Sequence, residues 1–209
     1  MNKSQGFLIA IEGGEGAGKT TQVALLVKKL KRAGHEAVGI REPGGDKIAE
    51  QIRAVVLNRA NTEIVDTTET LLFMAARAQI YAKQVLPALQ AGKVVVMDRS
   101  RDSSVVYQGI VRGQGAKLIE KLNDIATQDT RPDLKIFLDV PVNSAFSRLE
   151  EKDIQRFEDL GKKFHRQVYQ DYLQLVAQDQ ERKWVVVNGD LPQDEVSKLI
   201  WNLVAERLT

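Results

Sequence analysis

The sequence predicts an α/β fold: a five-stranded parallel sheet flanked by helices on both faces. Two observations carry this. Short apolar runs alternate with amphipathic stretches along the chain, and the runs are near-continuous in Val, Ile, Leu and Phe. Strands of that composition are covered on both faces, as parallel strands joined by helical crossovers are. At 209 residues the chain fits one domain with a single sizeable core, residues 1–209 together.

The expected strands, in order, are Phe7–Glu12, Ala37–Arg41, Val94–Asp98, Lys135–Val140 and Trp184–Asn188. A helix follows Lys19, where Val23, Leu26, Val27 and Leu30 keep the i, i+3, i+4, i+7 spacing and Gly34 supplies a stop. Asp66 and Glu69 have the spacing of a capping box and open a long pattern to about Gly92, which Pro87 kinks or ends. The last pattern starts near Pro192 and presents Val196, Leu199, Ile200 and Leu203 on one face. Between helices, Glu150–Asp159 is polar and charged, the composition of a solvated loop.

Composition narrows the function classes. A formal charge of +2 argues for neither nucleic acid nor a membrane surface as partner. Cysteine is absent, which excludes disulfides and thiolate metal sites. His35 and His165 lack metal or triad spacing and read as ordinary surface or edge histidines. No apolar run reaches a membrane span, and Met1 to Gly6 lack the apolar core of a signal peptide, so a cytoplasmic location is expected.

The strongest chemical signal is Gly13-Gly14-Glu15-Gly16-Ala17-Gly18-Lys19-Thr20, which matches G-x-x-x-x-G-K-[ST] between a strand and a helix. Glycines let the backbone curl until successive N–H groups face phosphate oxygens, and the helix N-terminus adds partial positive charge. Lys19 is expected on the β- and γ-phosphates and the Thr20 hydroxyl on Mg²⁺. Val94-Val95-Val96-Met97-Asp98 ends a buried strand in a carboxylate, placing Asp98 beside this P-loop as a second Mg²⁺ contact. A nucleotide with Mg²⁺ is thus the expected ligand.

A phosphoryl-transfer enzyme must also hold an anionic acceptor, and a guanidinium fork suits that task. Arg99 and Arg101 follow Asp98 directly, with Arg41, Arg53 and Arg77 as further candidates. Phe73 and Arg77 are four apart and share a helix face, a spacing that also describes a core phenylalanine beside a surface arginine.

These pieces together resemble the bacterial thymidylate kinases over nearly the whole chain. The matching residues are Gly13–Thr21, Arg41-Glu42-Pro43-Gly44-Gly45, Ile52-Arg53, Leu72-Phe73 with Arg77, Asp98-Arg99, and Ser103-Ser104 ahead of Tyr107-Gln108-Gly109. Arg156-Phe157-Glu158 and Phe164-His165 continue the series. The resemblance implies a P-loop kinase fold with a short lid, transferring phosphate from ATP to dTMP. It implies that Gly13, Gly14, Glu15, Gly16, Ala17, Gly18, Lys19, Thr20 and Thr21 hold the nucleotide, with Thr20, Asp98 and Glu42 around Mg²⁺. Phe73 would stack on thymine, Arg77 would bond a base carbonyl, and Ser104 and Gln108 would read the polar edge. Tyr107 would pack near the sugar 2′ position and Glu15 would approach its 3′-hydroxyl. Arg99 would bridge the two phosphates, with Arg53, Glu42 and Pro43 shaping the acceptor site.

The P-loop carries no arginine, so the resemblance implies a basic lid over 150–159. Arg156 is then the transition-state cation, assisted by Arg148 or Lys152. Lys19, Arg99, Arg156 and Glu15 make up the expected catalytic set. Asp46-Lys47 stands where the family commonly has Thr-Pro, and Ser100-Arg101 where a bulky aromatic follows Asp-Arg; Arg101 would add a cation to the acceptor pocket. A homodimer is implied by the same resemblance. Other nucleoside or nucleoside monophosphate kinases stay open as alternatives, as does a nucleotide-controlled switch or regulatory ATPase, although no Asn-Lys-x-Asp element for guanine is present.

Overall fold

The computed structural model describes residues 6–150, 155–181 and 183–208. Its five strands are β1 (Phe7–Glu12), β2 (Ala37–Arg41), β3 (Val94–Asp98), β4 (Leu134–Asp139) and β5 (Trp184–Asn188). They form one sheet in the order β2-β3-β1-β4-β5, and every pair is parallel. Strand β4 starts and stops one residue earlier than expected, because Val140 precedes Pro141, which has no N–H to give a ladder.

Helix α1 (Lys19–Arg32) runs back from the end of β1, and α2 (Lys47–Val56) follows β2. Asp46 caps α2 by accepting from the Ile48 N–H at 2.9 Å, so the Asp46-Lys47 departure is a helix start. Helix α3 (Asp66–Ile80) passes through a π-helical turn, Tyr81–Val85, into α4 (Leu86–Gln90). Pro87 therefore lies just past the π-helical turn, in the last turn of a run that ends at Gln90, as its place in the pattern predicts. The expected capping box is absent: Val65 is the cap residue, without a side-chain bond, and Glu69 is drawn into the protein interior.

After β3, α5 (Arg101–Ser104) continues as a π-helical segment, Val105–Val111, and α6 (Ala116–Thr127) returns toward β4. Helices α7 (Val142–Ser147), α8 (Gly161–Ala177) and α9 (Gln193–Leu208) complete the chain. One face of the sheet packs α1 and α9 through Leu26, Leu30, Val196, Ile200 and Val204. The other packs α3 and the turn after it through Ala76, Ile80, Tyr81 and Val85. Leu199 is 41% exposed and Ser197 is buried instead, its carbonyl accepting from Lys29 of α1. Among the described residues, no helix is long and apolar enough to cross a membrane.

The strand order places β1 between β3 and β4, so the chain leaves the centre of the sheet in both directions. The crevice beyond the carboxyl ends of strands at such a switch point is where ligands bind in open α/β sheets. Glu12 and Asp98 end β1 and β3 there, and Arg41 pairs in register with Asp98.

Candidate active site

Two cavities open at that crevice. The larger, about 690 Å³, lies over Gly16–Gln22 and reaches Arg148, Gly189 and Leu191. The smaller, about 90 Å³, is lined by Phe73, Arg77, Ser104, Tyr107, Gln108 and Phe157, among others. Glu15, Glu42, Arg53, Arg99, Gln155 and Glu158 line both, so the two meet at a wall of charged and polar side chains.

The P-loop follows β1 and feeds α1, with Gly18 as cap residue in the left-handed region. Gly16 also has positive φ (+72°), and a Cβ there would run into the Ala145 carbonyl oxygen of α7. Lys19 donates to the Gly14 carbonyl at 2.6 Å. Burial, then the Arg99 charge, pull the Lys19 ammonium below its usual range. Thr20 Oγ1 donates to Asp98 Oδ2 at 2.5 Å, so two of the three expected Mg²⁺ contacts already touch.

Arg99 is held in the left-handed region (φ 65°), uncommon for a side chain of this size. Its guanidinium donates to the Gly13 carbonyl (3.0 Å) and Ser103 Oγ (3.1 Å), pairs with Glu15 Oε1 (2.6 Å) and lies over the Tyr107 ring. Burial raises the Glu15 carboxyl, but Arg99 and Lys19 outweigh it and hold the group down to about 2. Beneath Arg99 sits Glu12, fully buried, a residue the sequence showed only as a strand end. It accepts from the Ser100 N–H (2.8 Å), Ser103 Oγ (2.6 Å) and the Tyr172 hydroxyl (2.9 Å).

Arg77 is saturated within the protein. Nε and Nη2 both meet Glu42 Oε2 at 2.7 Å, Nη1 donates to Ser104 Oγ and Asn123 Oδ1, and Nη2 to the Ser100 carbonyl. Glu42 Oε1 is buried without a hydrogen-bond partner among the described residues. Burial pushes the Glu42 carboxyl up, against the Arg77 charge. Arg53 donates to the Pro43 carbonyl at 2.6 Å and lines both cavities. Phe157 packs edge-on against Phe73 and Tyr107 and narrows the smaller cavity.

Two expected cations lie elsewhere. Arg101 is buried, paired with Glu120 (2.5 Å) and Asp124 (2.6 Å), and lines neither cavity. It adds nothing to the acceptor pocket because two carboxylates of α6 neutralise it. Arg156 donates to Glu69 Oε2 (2.7 Å) and the Val56 carbonyl (3.2 Å) and also lines neither cavity, whereas Arg148 lines the larger one. Residues 151–154 of the expected lid, Lys152 among them, lie outside the described residues. His165 is buried rather than superficial, its Nε2 2.9 Å from the Phe157 carbonyl oxygen.

Fold, P-loop and paired cavities are those of a P-loop nucleotide-binding protein whose second cavity is lined by Arg53, Arg77 and Arg99. The family model described as thymidylate kinase matches residues 11–200. The thymidylate kinase of Caldanaerobacter subterraneus subsp. tengcongensis is 39% identical over 204 residues, covering 98% of this chain and 97% of that one. The chain belongs to the thymidylate kinase family.

Proposed function

We propose that the protein transfers the γ-phosphate of ATP to dTMP, giving ADP and dTDP, in the supply of dTTP. One observation supports this most: the two cavities share Arg99, Arg53 and Glu15, so donor and acceptor phosphates meet where the cations stand. The acceptor phosphate oxygen attacks the γ-phosphorus as the bond to the ADP oxygen breaks. That oxygen is already anionic, so neither a protein nucleophile nor a general base is required, and positioning with charge neutralisation carries the rate.

The P-loop backbone from Gly13 to Thr21 cradles the ATP phosphates, and Lys19 exchanges the Gly14 carbonyl for a phosphate oxygen. Arg99, leaving Glu15, spans the two phosphates. Glu15 is then free to meet the sugar 3′-hydroxyl, and Arg53 holds the acceptor phosphate beside Pro43. Phe73 supplies the plane for the base, Ser104 and Gln108 its polar edge, and Tyr107 the wall beside the sugar. Arg77 reaches a base carbonyl only by giving up Ser104 or Asn123. Arg156 serves as transition-state cation after leaving Glu69; its neighbour Gln155 already stands at the wall shared by both cavities.

Thr20 and Asp98 would hold Mg²⁺, and they fit it: a hydroxyl and a carboxylate, both hard oxygen donors. The unpartnered Glu42 Oε1 is a further oxygen of the right kind. When bound, the ion would neutralise charge on the phosphates. A cytoplasmic location goes with a reaction drawing on ATP and a free nucleotide. A homodimer is supported by exposed apolar residues on α2, α3 and α6: Ile48, Val55, Leu71, Leu118 and Ile125. Light scattering should return twice 23.3 kDa, and the monomer mass at micromolar concentration would refute it.

The direct test follows ADP release with Mg²⁺–ATP and dTMP, dUMP, dCMP, dGMP or AMP. Release should depend on dTMP and collapse in Arg99→Ala. A slow rate indifferent to every acceptor would leave a nucleotide-hydrolysing switch instead.

A further inference from the structure

Glu69 is fully buried on α3, and it lines neither cavity. Its carboxylate nevertheless gathers three side chains. Gln108 Nε2 donates to Oε1 at 2.9 Å, while Arg112 Nη2 (3.1 Å) and Arg156 Nη2 (2.7 Å) donate to Oε2. Gln108, itself buried, does line the smaller cavity.

A carboxylate flanked by two guanidinium groups can only accept hydrogen bonds. Of the two ends of the Gln108 carboxamide, only the NH₂ end can face it, whichever way the amide is drawn. The oxygen is therefore the end left for the cavity, and among the described residues no donor reaches it. Without Glu69, the same carboxamide could turn over and present a donor there.

We propose that Glu69 is a positioning residue that sets which pyrimidine the acceptor pocket takes. By fixing Gln108 with its oxygen toward the cavity, it selects a base whose ring nitrogen carries a hydrogen, the imide N–H of a thymine or uracil. It rejects a 4-aminopyrimidine, whose ring nitrogen is a lone pair and would face the oxygen unpaired. A buried polar group left unpaired is the strongest discriminator a pocket of this kind has. The inference rests on reading the smaller cavity as the base pocket.

The test compares kcat/KM for dTMP and 5-methyl-dCMP, which differ only at position 4 and the adjacent ring nitrogen. In Glu69→Gln the facing amide can donate or accept, so Gln108 is free to turn. The preference for dTMP should fall by about tenfold or more, chiefly through KM. Equal losses on both nucleotides would mean that Glu69 supports the fold alone and would overturn the proposal. Arg112→Ala removes a cation from the same carboxylate without touching Gln108, and should hold the preference within about twofold. A drop there matching that of Glu69→Gln would assign the effect to lost charge and also overturn the proposal.

Wild-type enzyme that phosphorylates neither nucleotide would instead overturn the functional reading, and the inference with it. If Glu69→Gln does not fold, the side-chain NH₂ resonances of Gln108 in the ligand-free wild type decide. A carboxylate-bound amide gives a downfield, slowly exchanging proton; a fast-exchanging pair typical of a free carboxamide would sink the proposal.

Discussion

Replacing Glu12 by glutamine should make the protein's stability less sensitive to alkali. Burial, reinforced by the Asp102 charge, pushes the Glu12 carboxyl up from its ordinary 4.5 to about 7, although Ser103, Arg99 and Tyr172 favour the ion. A folded-state value above the unfolded one means that the folded protein holds the proton more tightly. That contribution is whole below about pH 4.5 and is lost as the pH rises through about 7. Glutamine resembles the neutral acid: its oxygen can still accept from the Ser100 N–H and its amide can donate to a hydroxyl. Between pH 5 and pH 8 the wild type should lose about 2–3 kcal/mol that Glu12→Gln keeps. Urea unfolding of both proteins across that interval measures the difference directly, because groups they share cancel. Parallel curves would refute the reasoning and show that the donors around Glu12 hold its charge as readily as water does.

Three further changes bear on the site. Arg156→Ala should lower kcat by about 10³ or more if the guanidinium serves the transition state, and a fall below about tenfold would confine Arg156 to anchoring on Glu69. Gly16→Ala puts a methyl group against the Ala145 carbonyl at positive φ; it should cost at least about 2 kcal/mol in thermal unfolding and abolish ATP binding by calorimetry. Unchanged binding would show that α7 yields. Thr20→Val removes a proposed Mg²⁺ ligand, so the Mg²⁺ concentration for half-maximal rate should rise by about tenfold or more, while a constant requirement would take Thr20 out of the ion's shell.

The sheet was legible because parallel strands buried on both faces need no alternation, and β1, β2, β3 and β5 fall on their apolar runs to the residue. The P-loop was legible because its glycines are a backbone requirement, not a packing choice. What escaped the sequence were buried charges. Glu69 looked like a capping-box acid, since local spacing cannot show that Arg112 and Arg156, 43 and 87 residues away, meet its carboxylate. Arg101 looked like a site cation because it adjoins Arg99, yet the chain turns into α5 there and carries it toward α6. Glu12 closes an apolar strand, and only the packing of Tyr172 and Ser103 over it shows a buried acid.

Each of these buried acids lies beside a residue of the site, and that has a common cause. A pocket for two phosphorylated substrates needs several guanidinium groups close together, and without their ligands those groups repel one another. Carboxylates offset the repulsion: Glu42 holds Arg77, Glu15 holds Arg99, and Glu69 holds Arg156. The pairs differ in what a substrate must do to break them. Arg77–Glu42 is buried with several supporting bonds, so a base carbonyl must displace Ser104 or Asn123 to gain Arg77 and leaves the Glu42 pair in place. Arg99–Glu15 lies on the surface shared by the two cavities, and the charge that holds Glu15 near 2 is the same charge a phosphate would claim. An incoming anion thus exchanges one carboxylate for another negative group on Arg99 without first desolvating the cation. The partner set aside, Glu15, is left facing the cavity where the acceptor sugar is proposed to lie. The left-handed backbone of Arg99, tied to Glu12 through Ser100 and Ser103, aims that guanidinium at the junction.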